Sequence, residues 1–261
     1  DLTDKINRSF DCVYVLAAIH RDDIKDSSKY YETNSDSLIN ILDFCSNKNI
    51  NHIIYYSTAA VYGDSFRGSK EDGVLNPESH YGKSKAIAEE RLAKWQNQNS
   101  SRKLLIIRPS VVYGQGAKSN MNRMIAYIKS NKFFIIGKGD NLKSISYVEN
   151  LVDFTYYVST LDHDSRINIF NYCDYPQYKI ESVCLQISEI INSKKVKKVP
   201  YFLGYFFGCL ADIVSFATNK KLPISLNRIK KSRTHTFLST EKIERLNYKK
   251  IFNFRDAINK T

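Results

Sequence analysis

The stretch HIIYYSTAAVYG, residues 52–63, decides the fold. It opens with an apolar run of β-branched and aromatic residues and shows no polar alternation. That is how a strand covered on both faces reads. At Ser57 and Thr58 the run gives way to hydroxyls. In a parallel sheet the ligand crevice lies beyond the carboxyl ends of the strands, so these hydroxyls are placed for chemistry rather than for packing.

Working outward, two more runs have the same character: CVYVLAA at 12–18 and KLLIIRP at 103–109. Helical periodicity separates them, over roughly 29–47 with Leu38, Ile41, Leu42 and Cys45 on one face, and over roughly 81–96. A helix over 119–130 and a strand over 133–136 follow. Apolar strands alternating with helices predict an α/β protein, a Rossmann-like parallel sheet with helices on both faces. Its strand ends are Leu16, Ala17 and Ala18, then Ser57 and Thr58, then Arg108 and Pro109. The second half is less regular, with helices over 147–161 and 179–192 and a strand over 168–172. It predicts a smaller C-terminal lobe. The expected division is a partial dinucleotide-binding domain over 1–160 and a substrate-binding lobe over 161–261, with elements interleaving.

A sheet of this kind normally opens with a strand, a glycine-rich turn and a helix. No GxGxxG or GxxGxxG occurs in the sequence, so the first βαβ unit is expected to be missing. The 261 residues are 43% hydrophobic with a formal charge of +12, a globular composition suited to anionic partners. Nucleic acid is not the expected partner, because the basic residues read as spread along the chain and no base-reading motif accompanies them. Cys12, Cys45, Cys173, Cys184 and Cys209 form no CxxC and no zinc spacing. They predict reduced, buried thiols in a cytoplasmic protein, with no metal site.

The candidate chemistry lies in SHYGKSKAIAEE, residues 79–90. If Tyr81 sits in the first turn of a helix, Lys85 stands one turn later on the same face. An ammonium there would lower the phenol pKa and make Tyr81 a usable acid and base. The alternative is a half-exposed tyrosine with Lys85 paired to Glu89. The spacing recurs at Tyr175 and Lys179, where Pro176 intervenes and no hydroxyl-bearing strand end precedes. What sets the first pair apart is Ser57 and Thr58, which predict the same site.

Together with YYETNSDSLINIL at 30–42, IRPSVVYG at 107–114 and KSISYVENLVDF at 143–154, these motifs resemble the extended short-chain dehydrogenase/reductase family, in its nucleotide-sugar epimerase/dehydratase branch. The resemblance is dense over residues 1–160 and thinner beyond. It implies NAD, with NADP as the alternative. It implies Tyr81 as general acid/base, Lys85 beside the nicotinamide ribose, and Thr58 on the reacting sugar oxygen. Asp1, Leu2, Leu16, Ala17, Ala18, Asn34, Ser57 and Pro109 are implied on the cofactor side. Asn120, Lys143 and Arg233 are implied at the diphosphate of a UDP-linked sugar, and Tyr113 in the pocket wall. The implied reaction is C4 epimerisation of a UDP-hexose or UDP-N-acetylhexosamine by a homodimer. The alternatives are reduction of a nucleotide 4-keto sugar, or a non-catalytic partner-binding protein on the same scaffold. Ala59 and Ala60 leave no carboxylate for a 4,6-dehydratase, and Val111 replaces an asparagine common near the substrate.

One segment stands apart: VPYFLGYFFGCLADIVSFA, residues 199–217. It is near the lower length limit of a membrane span, but Asp212 interrupts it. The preferred expectation is a substrate-lobe helix packed on its own protein. The alternative is peripheral contact with a membrane surface.

Overall fold

The computed structural model describes residues 8–20, 24–64, 66–163, 165–218 and 225–261. The expected cofactor positions Asp1 and Leu2 lie outside them. The chain divides into two compact units. The first comprises the described residues up to Ser110, with Asn150–Cys173 and Leu238–Lys250. The second comprises Val111–Glu149, Asp174–Phe237 and Ile251–Thr261.

The first unit is built on a parallel sheet of order β1-β2-β4-β8, formed by Val13–Val15 (β1), His52–Tyr56 (β2), Lys103–Pro109 (β4) and Ile167–Tyr172 (β8). β3 is Phe66–Ser69. The apolar runs that announced the strands are the sheet interior. Ile53, Ile54, Tyr55, Leu104, Leu105, Ile106 and Ile107 are all buried, each worth roughly 1.5–3 kcal/mol of apolar burial. On one face Ile53, Tyr55, Leu104 and Ile106 pack with Leu38 and Cys45 of α2 (Leu38–Asn47) and Ala88, Leu92 and Trp95 of α3 (His80–Asn97). Towards the other face, the Tyr56 hydroxyl donates to Thr155 at 2.8 Å.

The helix expected over 29–47 is not continuous. It begins as α1 (Ser28–Tyr31), widens into a π-helical turn over Glu32–Asp36, and resumes as α2. The run TNSDS supplies the reason. Ser35 and Ser37 hydroxyls donate to the carbonyls of Tyr31 and Thr33, at 2.9 and 2.7 Å, in competition with the helical ladder.

In the second unit, β5 (Val111–Tyr113) pairs with β7 (Ile145–Tyr147), and β6 (Phe134–Ile136) with β9 (Lys197–Val199), both parallel. Its core joins Met121, Met124 and Ile128 of α4 (Asn120–Lys129) to Val183 and Ile187 of α6 (Ile180–Ile190), α5 being Val148–Thr160. Tyr147 closes β7 instead of opening a helix. The apolar segment forms α7 (Tyr201–Thr218), followed by the short α8 (Leu226–Lys231). Here the packing is thinner than the preferred expectation: α7 rests on its own unit, but of its residues only Gly204 and Gly208 are buried, and Phe216 is 92% exposed.

Candidate active site

The carboxyl end of β2 and the start of α3 are held together by one glycine. Thr58 leaves the strand extended and caps a 3₁₀ turn, Ala59–Tyr62, its Oγ1 accepting from the Ala60 N–H at 3.2 Å. Ser79 caps α3 by accepting from the Gly82 N–H at 3.0 Å. Gly82 lies against that 3₁₀ turn so closely that a Cβ would stand 2.5 Å from the Ala60 carbonyl oxygen. Only glycine allows this approach. It places Tyr81 in hydrogen-bond contact with Thr58.

Burial pushes the Tyr81 phenol up, and the hydrogen bond with Thr58 opposes it. Lys85 is 1% exposed. Its Nζ lies 4.1 Å from the centroid of the Tyr55 ring, a cation–π seat. Burial pushes its pKa down to about 7, with Glu89 acting in the opposite sense. The spacing argument gave Lys85 the task of lowering Tyr81. The fold adds the Thr58 hydroxyl, which also favours phenolate, against the opposing effect of burial.

Beneath these groups runs a buried polar network. Arg108 grips Glu89 through two donors, Nε to Oε1 at 3.1 Å and a terminal nitrogen to Oε2 at 2.6 Å. It also donates to the Tyr62 hydroxyl at 2.7 Å, which in turn donates to Asn171 at 2.8 Å. Ser57 donates to Glu89. The Ser57 hydroxyl therefore anchors β2 to α3, while its neighbour Thr58 engages the phenol. Asn34, in the π-helical turn, accepts from the Ile19 N–H at 2.7 Å and donates to the Ile19 carbonyl at 2.9 Å and to Ser84 at 3.0 Å. Ser84 donates to the Tyr81 carbonyl at 2.9 Å. Asn34 thus ties the loop after β1 to the helix turn that bears Tyr81. In that loop Leu16 and Ala17 are exposed and Ala18 is half-buried. Pro109 is buried at the end of β4, in register with Tyr172.

The remaining expected residues belong to the second unit. The Lys143 Nζ donates to the Lys231 carbonyl at 3.4 Å, and burial, then the Lys231 charge, lower its pKa. The Arg233 guanidinium lies 4.5 Å from the centroid of the Tyr201 ring. Asn120, exposed in the first turn of α4, accepts from Arg123. Tyr113 is fully buried in the core of this unit. Among the described residues no group of His, Cys, Asp or Glu could hold a metal ion. A recess of about 380 Å³, lined by His52, Lys103, His163 and Arg166 among others, opens at the amino ends of β2 and β4. It is at the wrong end of the strands for a ligand of this fold.

Sequence reasoning passed over Tyr55, Gly82, Glu89 and Arg108 as a set. Gly82 follows Tyr81 directly, and Tyr55 lies two residues before the hydroxyl step, so both were within sight. Nothing in the sequence reveals that Glu89 pairs with Arg108, because their helix and strand meet only in the fold.

A profile of the NAD dependent epimerase/dehydratase family matches residues 1–171. An N-acetyl-alpha-D-glucosaminyl-diphospho-ditrans,octacis-undecaprenol 4-epimerase of Escherichia coli O157:H7 is 33% identical over 260 residues, 99% of this chain and 78% of that protein. A UDP-glucose 4-epimerase of Vibrio cholerae is 28% identical over 163 residues, 60% of this chain and 49% of that protein. Among solved structures, a UDP-glucuronic acid 4-epimerase of Bacillus cereus in complex with NAD superimposes with a TM-score of 0.75 at 21% identity, covering 100% of this chain and 73% of that one.

Proposed function

Because the chain belongs to the NAD dependent epimerase/dehydratase family, we propose that it inverts C4 of an N-acetylhexosamine carried on a diphosphate, through a 4-keto sugar. The observation that carries this reading is the packing of Gly82 against the turn that Thr58 caps, which sets Tyr81 at the end of a parallel strand, one helical turn from the buried Lys85. A phenol and a hydroxyl at one strand end, one helical turn from a buried lysine, fit the nicotinamide end of the cofactor. Lys85 would hold the ribose, and Leu16, Ala17 and Ala18 would line the approach. Asn34 and Ser57 would act by positioning the loop after β1 and the start of α3. NAD, when bound, supplies a two-electron acceptor and donor at C4.

Tyr81, as phenolate, would take the O4 proton when C4 is oxidised, and would return it to O4 when the 4-keto sugar is reduced from its other face. Thr58 holds O4 and supports the phenolate through its hydrogen bond. In the second unit, Lys143, Asn120 and Arg233 are the proposed diphosphate contacts. Homodimerisation and a cytoplasmic setting belong to the same proposal.

The carrier divides two readings. A UDP-linked sugar is what the nucleotide-sugar branch implies. A polyprenyl diphosphate is favoured by the similarity, over 99% of this chain, to the Escherichia coli protein, whose name specifies such a carrier. The test offers each substrate with catalytic NAD⁺ and resolves the sugars by NMR. A C4 epimer with no net change in NADH is the expected result, and the substrate that yields it identifies the carrier. Stoichiometric NAD(P)H loss on a 4-keto sugar, with no epimer from either substrate, would replace epimerisation by reduction.

A further inference from the structure

We infer that α7 and the basic residues of 194–198 and 228–233 on either side of it form a docking surface for the interface of an anionic phospholipid bilayer. The inference is independent of the sugar chemistry. It starts from how α7 is held. Gly204, Gly208 and Asp212 recur every four residues and form one seam of the helix. A Cβ on Gly204 would stand 2.7 Å from Ile136 Cγ2, and one on Gly208 would stand 3.1 Å from Ile229 Cγ1. Asp212 accepts from the Leu226 N–H at 3.0 Å, at the start of α8. The acid that interrupts the apolar segment is therefore engaged by the neighbouring helix. The other sides of α7 are apolar and open: Phe202, Phe206, Phe207, Ile213 and Phe216 are each more than half exposed. A contiguous apolar surface of this kind marks an interaction site.

Charge selects the occupant. Residues 194–233 contain ten Lys or Arg and a single acid, Asp212, whereas the other 221 residues contain 29 basic and 26 acidic side chains. The positive charge that reads as spread along the chain is thus concentrated on both sides of this one apolar helix. A second copy of the same surface would bring like charges together. An anionic lipid surface neutralises them while receiving the aromatic side chains, the pattern of an interfacial amphipathic helix. The packing argues against a span. α8 lies against the middle of α7 and carries Arg228, Lys230 and Lys231, which cannot enter the hydrocarbon core. The helix therefore lies along the interface.

The test is co-sedimentation with vesicles of phosphatidylcholine, alone or mixed with phosphatidylglycerol. Binding to the mixed vesicles is expected, at least ~10-fold weaker without phosphatidylglycerol and weakened by salt. The exposed double variant Phe206→Glu/Phe207→Glu should lose ~10-fold or more with its circular dichroism and melting temperature retained, and Lys197→Gln/Lys230→Gln should lose less. Three outcomes overturn the inference. The first is equal binding by wild type and the phenylalanine variant. The second is wild-type association that resists alkaline carbonate, which means a span. The third is a dimer abolished by the phenylalanine variant with no vesicle binding, which means a second copy is the occupant.

Discussion

Two helices of equal length, α3 and α7, each of 18 residues, invert the usual rule of burial in opposite directions. α3 hides polar groups: Ser84, Lys85, Glu89 and Gln96 are all buried. α7 displays apolar ones, with phenylalanine after phenylalanine exposed. Both arrangements cost stability in water, since buried charge needs partners and exposed aromatic surface gains nothing. The costs are met differently. α3 surrounds its charges with Arg108, the Tyr55 ring and a chain of hydroxyls. α7 meets its own unit through one narrow seam, Gly204, Gly208 and Asp212, with Arg233 over the Tyr201 ring. An inversion partnered from within, Glu89 by Arg108 and Ser57 and Lys85 by the Tyr55 ring, belongs to a site that must hold its own geometry. An inversion left unpartnered belongs to a surface completed from outside.

The sharpest way to break the α3 side is Tyr81→Phe. The ring stays and the proton-transfer group goes, so turnover should fall roughly 10²–10⁴-fold with the melting temperature nearly unchanged. Turnover like wild type, on a substrate the protein demonstrably converts, would remove Tyr81 from the chemistry. The next largest effect is structural. Glu89→Ala leaves the Arg108 guanidinium buried without its carboxylate and the Ser57 hydroxyl without its acceptor. Roughly 3–5 kcal/mol should be lost in denaturant unfolding. A loss below about 1 kcal/mol, typical of an exposed pair, would show that the network does not support α3. Gly82→Ala is smaller again. Forcing a Cβ against the Ala60 carbonyl should cost about 1–3 kcal/mol and separate Tyr81 from Thr58, so kcat should drop more than the stability loss alone explains. A variant with native stability and native kcat would dissolve that account.

The sequence revealed α3 and its neighbours because their signals are local. β4 runs over the very residues of KLLIIRP, and α3 differs from the expected helix by one residue at each end. Tyr81 and Thr58 were found as separate motifs, and the fold brings them into contact. What stayed hidden was non-local or directional. Helical spacing places Lys85 near Tyr81 but does not say where the ammonium points, and it points to the Tyr55 ring. β5, β7 and β9 have three residues each and lack the longer apolar strand run that marks β1 within CVYVLAA. In α7 the apolar residues run all the way round, so periodicity could not say whether protein or something else covers them. The glycine repeat was the available signal, and it became readable only when Ile136 and Ile229 appeared against it.

The last prediction turns on Lys85 and sharpens the comparison through pH. The ammonium is pushed from its ordinary value of 10.5 down to about 7, chiefly by burial. Below pH 7 the lysine is charged in both the folded and unfolded chain, and the folded state bears the whole cost of the buried charge. Between pH 7 and about 10 the folded chain sheds that proton while the unfolded chain keeps it. The unfolded state then binds more protons, so this group's contribution to stability rises with pH. Lys85→Met keeps the bulk and removes the titration. The variant should melt higher than wild type at pH 6, by ~2 °C or more, and its advantage should shrink or reverse by pH 9, while its turnover is lost at both. Calorimetry of the two proteins at the two pH values settles it. A melting difference that is flat or grows with pH would mean that the ammonium is not held at a cost in the fold, and α3 would then cease to be the counterpart of α7.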